Sequence, residues 1–155
     1  MEKCGTCNMC CMVLPVTSIN KKASEWCKFC KIGVGCDIHE TEIPEECKNF
    51  ECAYYQVNIN PDLRPDKCKI IFEKVDNSIF LGTIHPHYNE AYKSNIIQKE
   101  IQVFLKSGFS VVFSSFTTDY SVIYNTNNRE ASEVWSTLKL LWKKRNDNTI
   151  IHNGP

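Results

Sequence analysis

Lys69-Ile70-Ile71-Phe72-Glu73-Lys74-Val75, then Asp76-Asn77, then Ser78-Ile79-Phe80-Leu81-Gly82-Thr83-Ile84: this stretch decides how the larger part of the chain folds. Both outer runs are rich in β-branched and aromatic residues, which suit the half-buried surface of a pleated sheet. Asp76-Asn77 between them is a tight-turn pair, so the segment reads as a β-hairpin.

Working outward, residues 88 to about 106 read as a helix, with Tyr92, Ile97, Ile101, Phe104 and Leu105 mostly on one side. Lys106-Ser107-Gly108 closes it with a cation and a glycine suited to the position after a helix. Phe109 to Phe116 is strongly β-favouring, and Asp119 to Asn125 is its expected partner. A last helix begins near Asn127 or Asn128, where Asn127-x-x-Glu130 has capping-box spacing. Ala131, Val134, Trp135, Leu138, Leu141 and Trp142 form its apolar stripe, and Lys143, Lys144 and Arg145 suit its C-terminal dipole. From about residue 146 the chain is polar and reads as a frayed tail. The order is ββα twice, which predicts a four-stranded antiparallel sheet with both helices on one face.

Upstream, Asn58-Ile59-Asn60-Pro61-Asp62-Leu63-Arg64-Pro65-Asp66 holds two prolines and several turn formers and reads as a connection. It divides a cysteine-rich region, 1–57, from the ββαββα body, 58–155. The expected class is therefore α+β, a cysteine-rich metal-stapled module plus that body. Ten cysteines occur in 155 residues, and nine of them fall before residue 53. Four make one run, Cys4-Gly5-Thr6-Cys7-Asn8-Met9-Cys10-Cys11. Two-residue spacers let a turn aim successive sulfurs at one centre, while Cys11 points elsewhere from Cys10. Cys27-x-x-Cys30 is a second knuckle; Cys36, Cys47, Cys52 and Cys68 follow. Eight or nine thiols in so small a region fit two four-coordinate sites or one polynuclear cluster. The repeated short spacers make a disulfide framework awkward, and Cys30 and Cys68 are the two that could simply pack as small apolar residues. His39, three residues after Cys36, is a candidate ligand that reads better as an exposed or hydrogen-bonded imidazole, and His85-Pro86-His87 reads as loop.

The composition narrows the function. Lys+Arg and Asp+Glu are 18 each, which removes the basic excess that nonspecific nucleic-acid or anionic-membrane binding needs. Residues 1–52 carry six lysines against eight acids, a net of −2; the scattered lysines there would soften the charge of ligated thiolates, but read first as solubilising. There is no apolar run of the roughly 20 residues that spans a bilayer, and Met1-Glu2-Lys3 leads into the cysteines without a secretory h-region. The expectation is a cytoplasmic protein, where paired thiols more often bind metal than form disulfides. No phosphate loop, activated nucleophile or telling carboxylate pair is present, so whether the chain is an enzyme is left open.

These residues carry a resemblance. Cys4-x2-Cys7-x2-Cys10-Cys11 and the block Cys36-Asp37-Ile38-His39-Glu40-Thr41-Glu42-Ile43-Pro44-Glu45-Glu46-Cys47-Lys48-Asn49-Phe50-Glu51-Cys52 resemble the CxxCxxCC cysteine-cluster family, the zinc- or iron-chelating domain of the YkgJ type. The family block runs C-x-I-Y-E-x-R-P-x-x-C-R-x-F-x-C. Here His39 takes the tyrosine position, one residue is inserted before Pro44, Ile43 stands in place of arginine, and Lys48 replaces the second arginine. The likeness covers residues 4–52. It implies metal ligands at Cys4, Cys7, Cys10, Cys11, Cys27, Cys36, Cys47 and Cys52, with Cys30 an alternative to Cys27. It leaves open whether the metal is zinc, about two ions on a four-thiolate count, or an iron–sulfur cluster. The expected role is noncatalytic, an adaptor or metal handler with an unknown protein partner; a redox protein or cluster-dependent enzyme is the alternative.

Overall fold

The computed structural model describes residues 6–39, 41–56, 60–118, 120–125, 132–134, 136–138 and 150–153. Their order is mixed α+β. The α-helices with defined ends are α1 (Met9–Val13), α2 (Glu45–Lys48), α3 (Ala53–Gln56), α4 (Pro65–Cys68) and α5 (Asn95–Lys106). Strands β1 (Cys30–Lys31) and β2 (Gly35–Cys36) make a two-stranded ribbon. Strands β3 (Ile70–Lys74), β4 (Ile79–Ile84), β5 (Ser110–Ser114) and β6 (Tyr120–Tyr124) make the main sheet, to which β7 (Ile150–Asn153) adds an edge.

The β3–β4 hairpin forms where the sequence places it. Ile70 pairs with Ile84 and Lys74 with Phe80. Asp76 builds the turn, its carboxylate accepting from both the N–H and the hydroxyl of Ser78 at 2.7 Å. α5 also forms, but it starts at Asn95 rather than near 88. Ser94 is extended (ψ 146°) and closes a separate single turn, Ala91–Lys93. At the other end Gly108 is left-handed (φ +84°), Gly108 N–H reaches the Leu105 carbonyl and Phe109 N–H reaches the Phe104 carbonyl. That is the double bond of a Schellman cap, which only a residue free of a Cβ penalty adopts cheaply.

Two expectations are corrected. The sheet is not antiparallel throughout: β4 and β5 run parallel, Ile79 beside Ser110 and Thr83 beside Ser114. The connection between them is α5, and a helical crossover returns the chain in the same direction. Nor do both helices share a face. Ile97, Ile101 and Phe104 of α5 pack with Phe72, Phe80, Val111 and Phe113. Val134 and Leu138, in a segment helical at 132–134 and 136–138, pack with Ile79, Leu81, Val112 and Ile123 on the other face. β4 is buried along its whole length and β5 along most of it, so both faces require a cover. The residues beyond 138 in the tryptophan stripe, the Asn127–Glu130 cap and Trp135 lie outside the described residues. Within the expected frayed tail, Ile150–Asn153 instead pairs parallel with β6.

Phe113 is the centre of the α5-side core. It meets Phe72 edge-on at 6.0 Å, stacks on Tyr92 at 5.7 Å and meets Tyr124 edge-on at 5.9 Å. It lies across Gly82, where a Cβ would stand 2.6 Å from the ring, so glycine is required there by the close approach of the neighbouring strand. On the opposite face Cys7, Met9, Met12 and Val13 pack on Ile71, with Cys10, Leu14, Phe50, Cys52 and Phe116 around them. The cysteine-rich segment thus covers part of the sheet. Among the described residues no helix is long and apolar enough to cross a membrane.

Candidate metal centre

α1 sets the arrangement. Met9, Met12 and Val13 are buried against the sheet. At 100° per residue Cys11 then lies on the side of α1 away from the sheet, and Cys10 at its flank. The chain leaves α1 through Leu14 and Pro15, makes a single 3-10 turn, Thr17–Ile19, and returns. Val16 and Lys21 exchange both backbone hydrogen bonds, at 2.9 and 3.0 Å, with Asn20 left-handed at the turn (φ 54°). The next cysteines are led back to α1: Cys27 N–H donates to the Cys11 carbonyl at 2.9 Å, and Cys30 N–H donates to the Cys27 carbonyl at 3.0 Å. Cys30 and Cys36 are direct partners across β1 and β2. α2 brings Cys47, and Ser18 fixes α2 in place, its N–H and hydroxyl donating to the Glu46 carboxylate at 2.9 and 2.8 Å. Those bonds hold the Glu46 carboxyl below its ordinary range.

Cys11 is the hub. The Cys10 thiol, and after it the Cys30 thiol and the Lys21 charge, stabilise the Cys11 thiolate against partial burial and lower it to about 6. Burial, then repulsion from Cys11, pushes Cys30 up to about 12. Cys47, exposed as a residue, has its thiol raised to about 11 by partial burial of the group and by Cys11, Cys27 and Cys36. Burial also raises Cys36, opposed by a hydrogen bond from the Ile38 N–H to its sulfur. Cys10, Cys11, Cys27, Cys30, Cys36 and Cys47 are thus joined by electrostatic influence, and Lys21 acts on Cys10, Cys11, Cys27 and Cys47.

Of the remaining expected ligands, Cys7 and Cys52 reach the sheet side of α1, where Cys10 also packs. Cys7 is buried on the sheet side, where its sulfur is raised by burial and accepts from the N–H groups of Met9 and Asp66 and from Arg64. Arg64 is anchored by Thr6 Oγ1 at 2.6 Å and Asp66 Oδ1 at 2.8 Å. Cys52 packs in the apolar cluster with Cys7, and Cys4 lies outside the described residues. Cys68 is buried, its sulfur 3.4 Å from the Leu63 carbonyl and 3.3 Å from that of Ile70. Burial raises it to about 11. His39 is tied through its N–H to the Cys36 carbonyl at 3.3 Å, and the His85 ring accepts from the His87 N–H at 3.1 Å in a loop, as the sequence predicts.

Of the expected set, Cys10, Cys11, Cys27, Cys36 and Cys47 act electrostatically on one another or on a shared neighbour, and Cys7 and Cys52 share an apolar cluster with Cys10. The structure adds Cys30 beside Cys27, whereas the resemblance made it an alternative. The only sequence signal for Cys30 was its own Cys-x-x-Cys knuckle. The sequence names Lys21 only as one of six lysines that could soften thiolate charge, a role that ranks there below plain solubility. Among the described residues no group of three or more His, Cys, Asp or Glu side chains is arranged to hold a metal ion. The donor chemistry nevertheless suits a thiophilic one. The side chains are soft sulfurs, backbone N–H groups turn toward the sulfurs of Cys7 and Cys36, and Lys21 is buried nearby.

No protein-family model matches the chain, and neither a curated protein nor a solved structure matches it. The likeness to the cysteine-cluster family therefore rests on the motif residues themselves.

Proposed function

We propose that this chain is a metal-binding protein, in which the cysteine-rich segment holds zinc through thiolates and serves a noncatalytic structural, adaptor or metal-handling role. The observation that carries this reading is the gathering of thiols from four separate pieces of chain around Cys11: α1, the Cys27–Cys30 turn, the β1–β2 ribbon and α2. An apolar core gains nothing from thiols so placed, because each raised thiol there is partly buried while its repulsive neighbours remain. A metal ion relieves that repulsion by binding the thiolates directly, and it displaces their protons. Cys11, Cys27, Cys30, Cys36 and Cys47 are the proposed ligands, with Cys10 beside them. Cys4, Cys7 and Cys52 form the other part of the motif-derived set. The proposed module spans 1–57, and its metal supplies much of the folding free energy of a segment with little apolar core of its own.

A second reading is an iron–sulfur redox protein or cluster-dependent enzyme. It is favoured by one observation: six thiols joined by electrostatic influence exceed the four of a closed zinc site. Elemental analysis and a visible spectrum on protein purified without oxygen test both. Zinc and no colour supports the first reading. Iron, acid-labile sulfide and a brown chromophore supports the second, and a metal-free protein that is fully folded refutes both.

A further inference from the structure

Lys21 is buried, with 7% of its surface exposed, in a segment where neighbouring Lys22 is fully on the surface. Its ammonium donates to the carbonyl of Met12 at 3.1 Å and to the carbonyl of Leu14. Those are neutral acceptors, orphan carbonyls at the end of α1. Among the described residues no carboxylate forms an ion pair with Lys21. An unpaired buried ammonium is costly, and lysine is almost never buried without a counter-charge. The groups that act on it electrostatically are Cys27, Cys11, Cys10 and Cys47, in that order.

We infer that Lys21 is the built-in counter-cation of the thiol cluster, there to balance the excess negative charge that a metal bound by more than two thiolates leaves on its ligands. The inference rests on the metal-binding reading above and deepens it. Four thiolates around one divalent ion leave a net charge of about −2, and one fixed cation at short range offsets part of that. The backbone is built to deliver it. The Val16–Lys21 bridge and left-handed Asn20 bring the residue back onto the helix that carries Cys10 and Cys11. The two carbonyl bonds then hold the ammonium at the foot of that helix. Lys21 is in this sense a positioning residue: it donates no electrons to the metal and sets the field its ligands experience.

A merely structural Lys21 would cap α1 through its hydrogen bonds alone, and the test separates the two roles. Four proteins are reduced, loaded with zinc without oxygen and mixed with a chromogenic chelator: wild type, Lys21→Gln, Lys21→Arg and the surface control Lys22→Gln. Glutamine keeps an N–H donor and loses the charge; arginine keeps both. The expected result is zinc release at least tenfold faster from Lys21→Gln than from wild type, with Lys21→Arg and Lys22→Gln within threefold of wild type. Release from Lys21→Gln at the wild-type rate overturns the inference, as does release from Lys21→Arg as fast as from Lys21→Gln. If Lys21→Gln does not fold, Lys21→Asn, which likewise keeps an N–H donor and loses the charge, takes its place with the same two outcomes. A wild-type protein that takes up no zinc refutes the metal-binding reading itself, which the other outcomes leave standing.

Discussion

In the metal-free, reduced protein Cys11 should be the thiol that alkylates first, and the margin over Cys47 follows from their surroundings. Cys11 is lowered to about 6 and Cys47 raised to about 11. At pH 7 the first is about nine-tenths thiolate and the second about one part in ten thousand. A more basic thiolate is intrinsically the better nucleophile, and a Brønsted slope of about 0.45 returns roughly a hundredfold of that difference to Cys47. Roughly a hundredfold remains in favour of Cys11. Cys11 is partly buried while Cys47 is exposed, so the expected advantage is on the order of tenfold. Brief treatment with iodoacetamide, followed by mass spectrometry of the peptides, measures it. The sign of the pH effect is fixed as well. A depressed thiol stays ionised until the pH falls through its folded value, so Cys11 labelling should drop about tenfold between pH 7 and pH 5. The stability that its thiolate contributes is full above about pH 9, falls as the pH drops toward about 6 and is gone below that. Labelling of Cys47 at the rate of Cys11 or faster would refute the arrangement of thiols around Cys11.

Replacing Cys30 by Ser should lower metal content as much as replacing Cys11 does; full metal by elemental analysis would remove Cys30 from the ligand set. Cys68→Ser should keep the metal, because its sulfur already lies against the Leu63 and Ile70 carbonyls, and should cost about 1 kcal/mol in urea unfolding. A lost metal equivalent would make it a ligand. Gly82→Ala forces the Phe113 ring out of contact with three aromatic neighbours and should destabilise the fold by roughly 1–3 kcal/mol; an unchanged urea midpoint contradicts the close approach. Zinc uptake should release protons from Cys30 and Cys47, which are held protonated at pH 7. Zinc affinity should therefore climb at least about tenfold per pH unit between 6 and 8, and a flat profile in competition titrations would contradict that.

What the sequence made legible was local. The β3–β4 hairpin is marked by its turn pair, and the end of α5 by Ser107-Gly108, because both signals act within a few residues. The start of α5 was misread because Tyr92 continues the apolar spacing across Ser94, and periodicity does not register one extended residue. The direction of β5 is decided by what the α5 crossover must do, and the second covered face by what must bury Leu81 and Val112. The consecutive apolar runs Ile79-Phe80-Leu81 and Val111-Val112-Phe113 carried that information, since a strand covered on one face alone alternates instead. At the cysteines, spacing marked the knuckles but could not separate the sulfurs facing the sheet from those facing away. The rotation of α1 does that, and it depends on where Met9, Met12 and Val13 find their seat. Lys21 was illegible for the same reason: nothing in Lys21-Lys22 says which of the two turns inward.

The seat of α1 has a consequence for the order of events during synthesis. Its apolar face rests on Ile71, some sixty residues downstream. The cysteine-rich segment is therefore synthesised before the strand that covers α1. Closing the loop between α1 and Ile71 is a non-local event. On the proposed metal-binding reading, the thiols are available to a metal ion before α1 finds its seat on Ile71, because that contact is the long-range one.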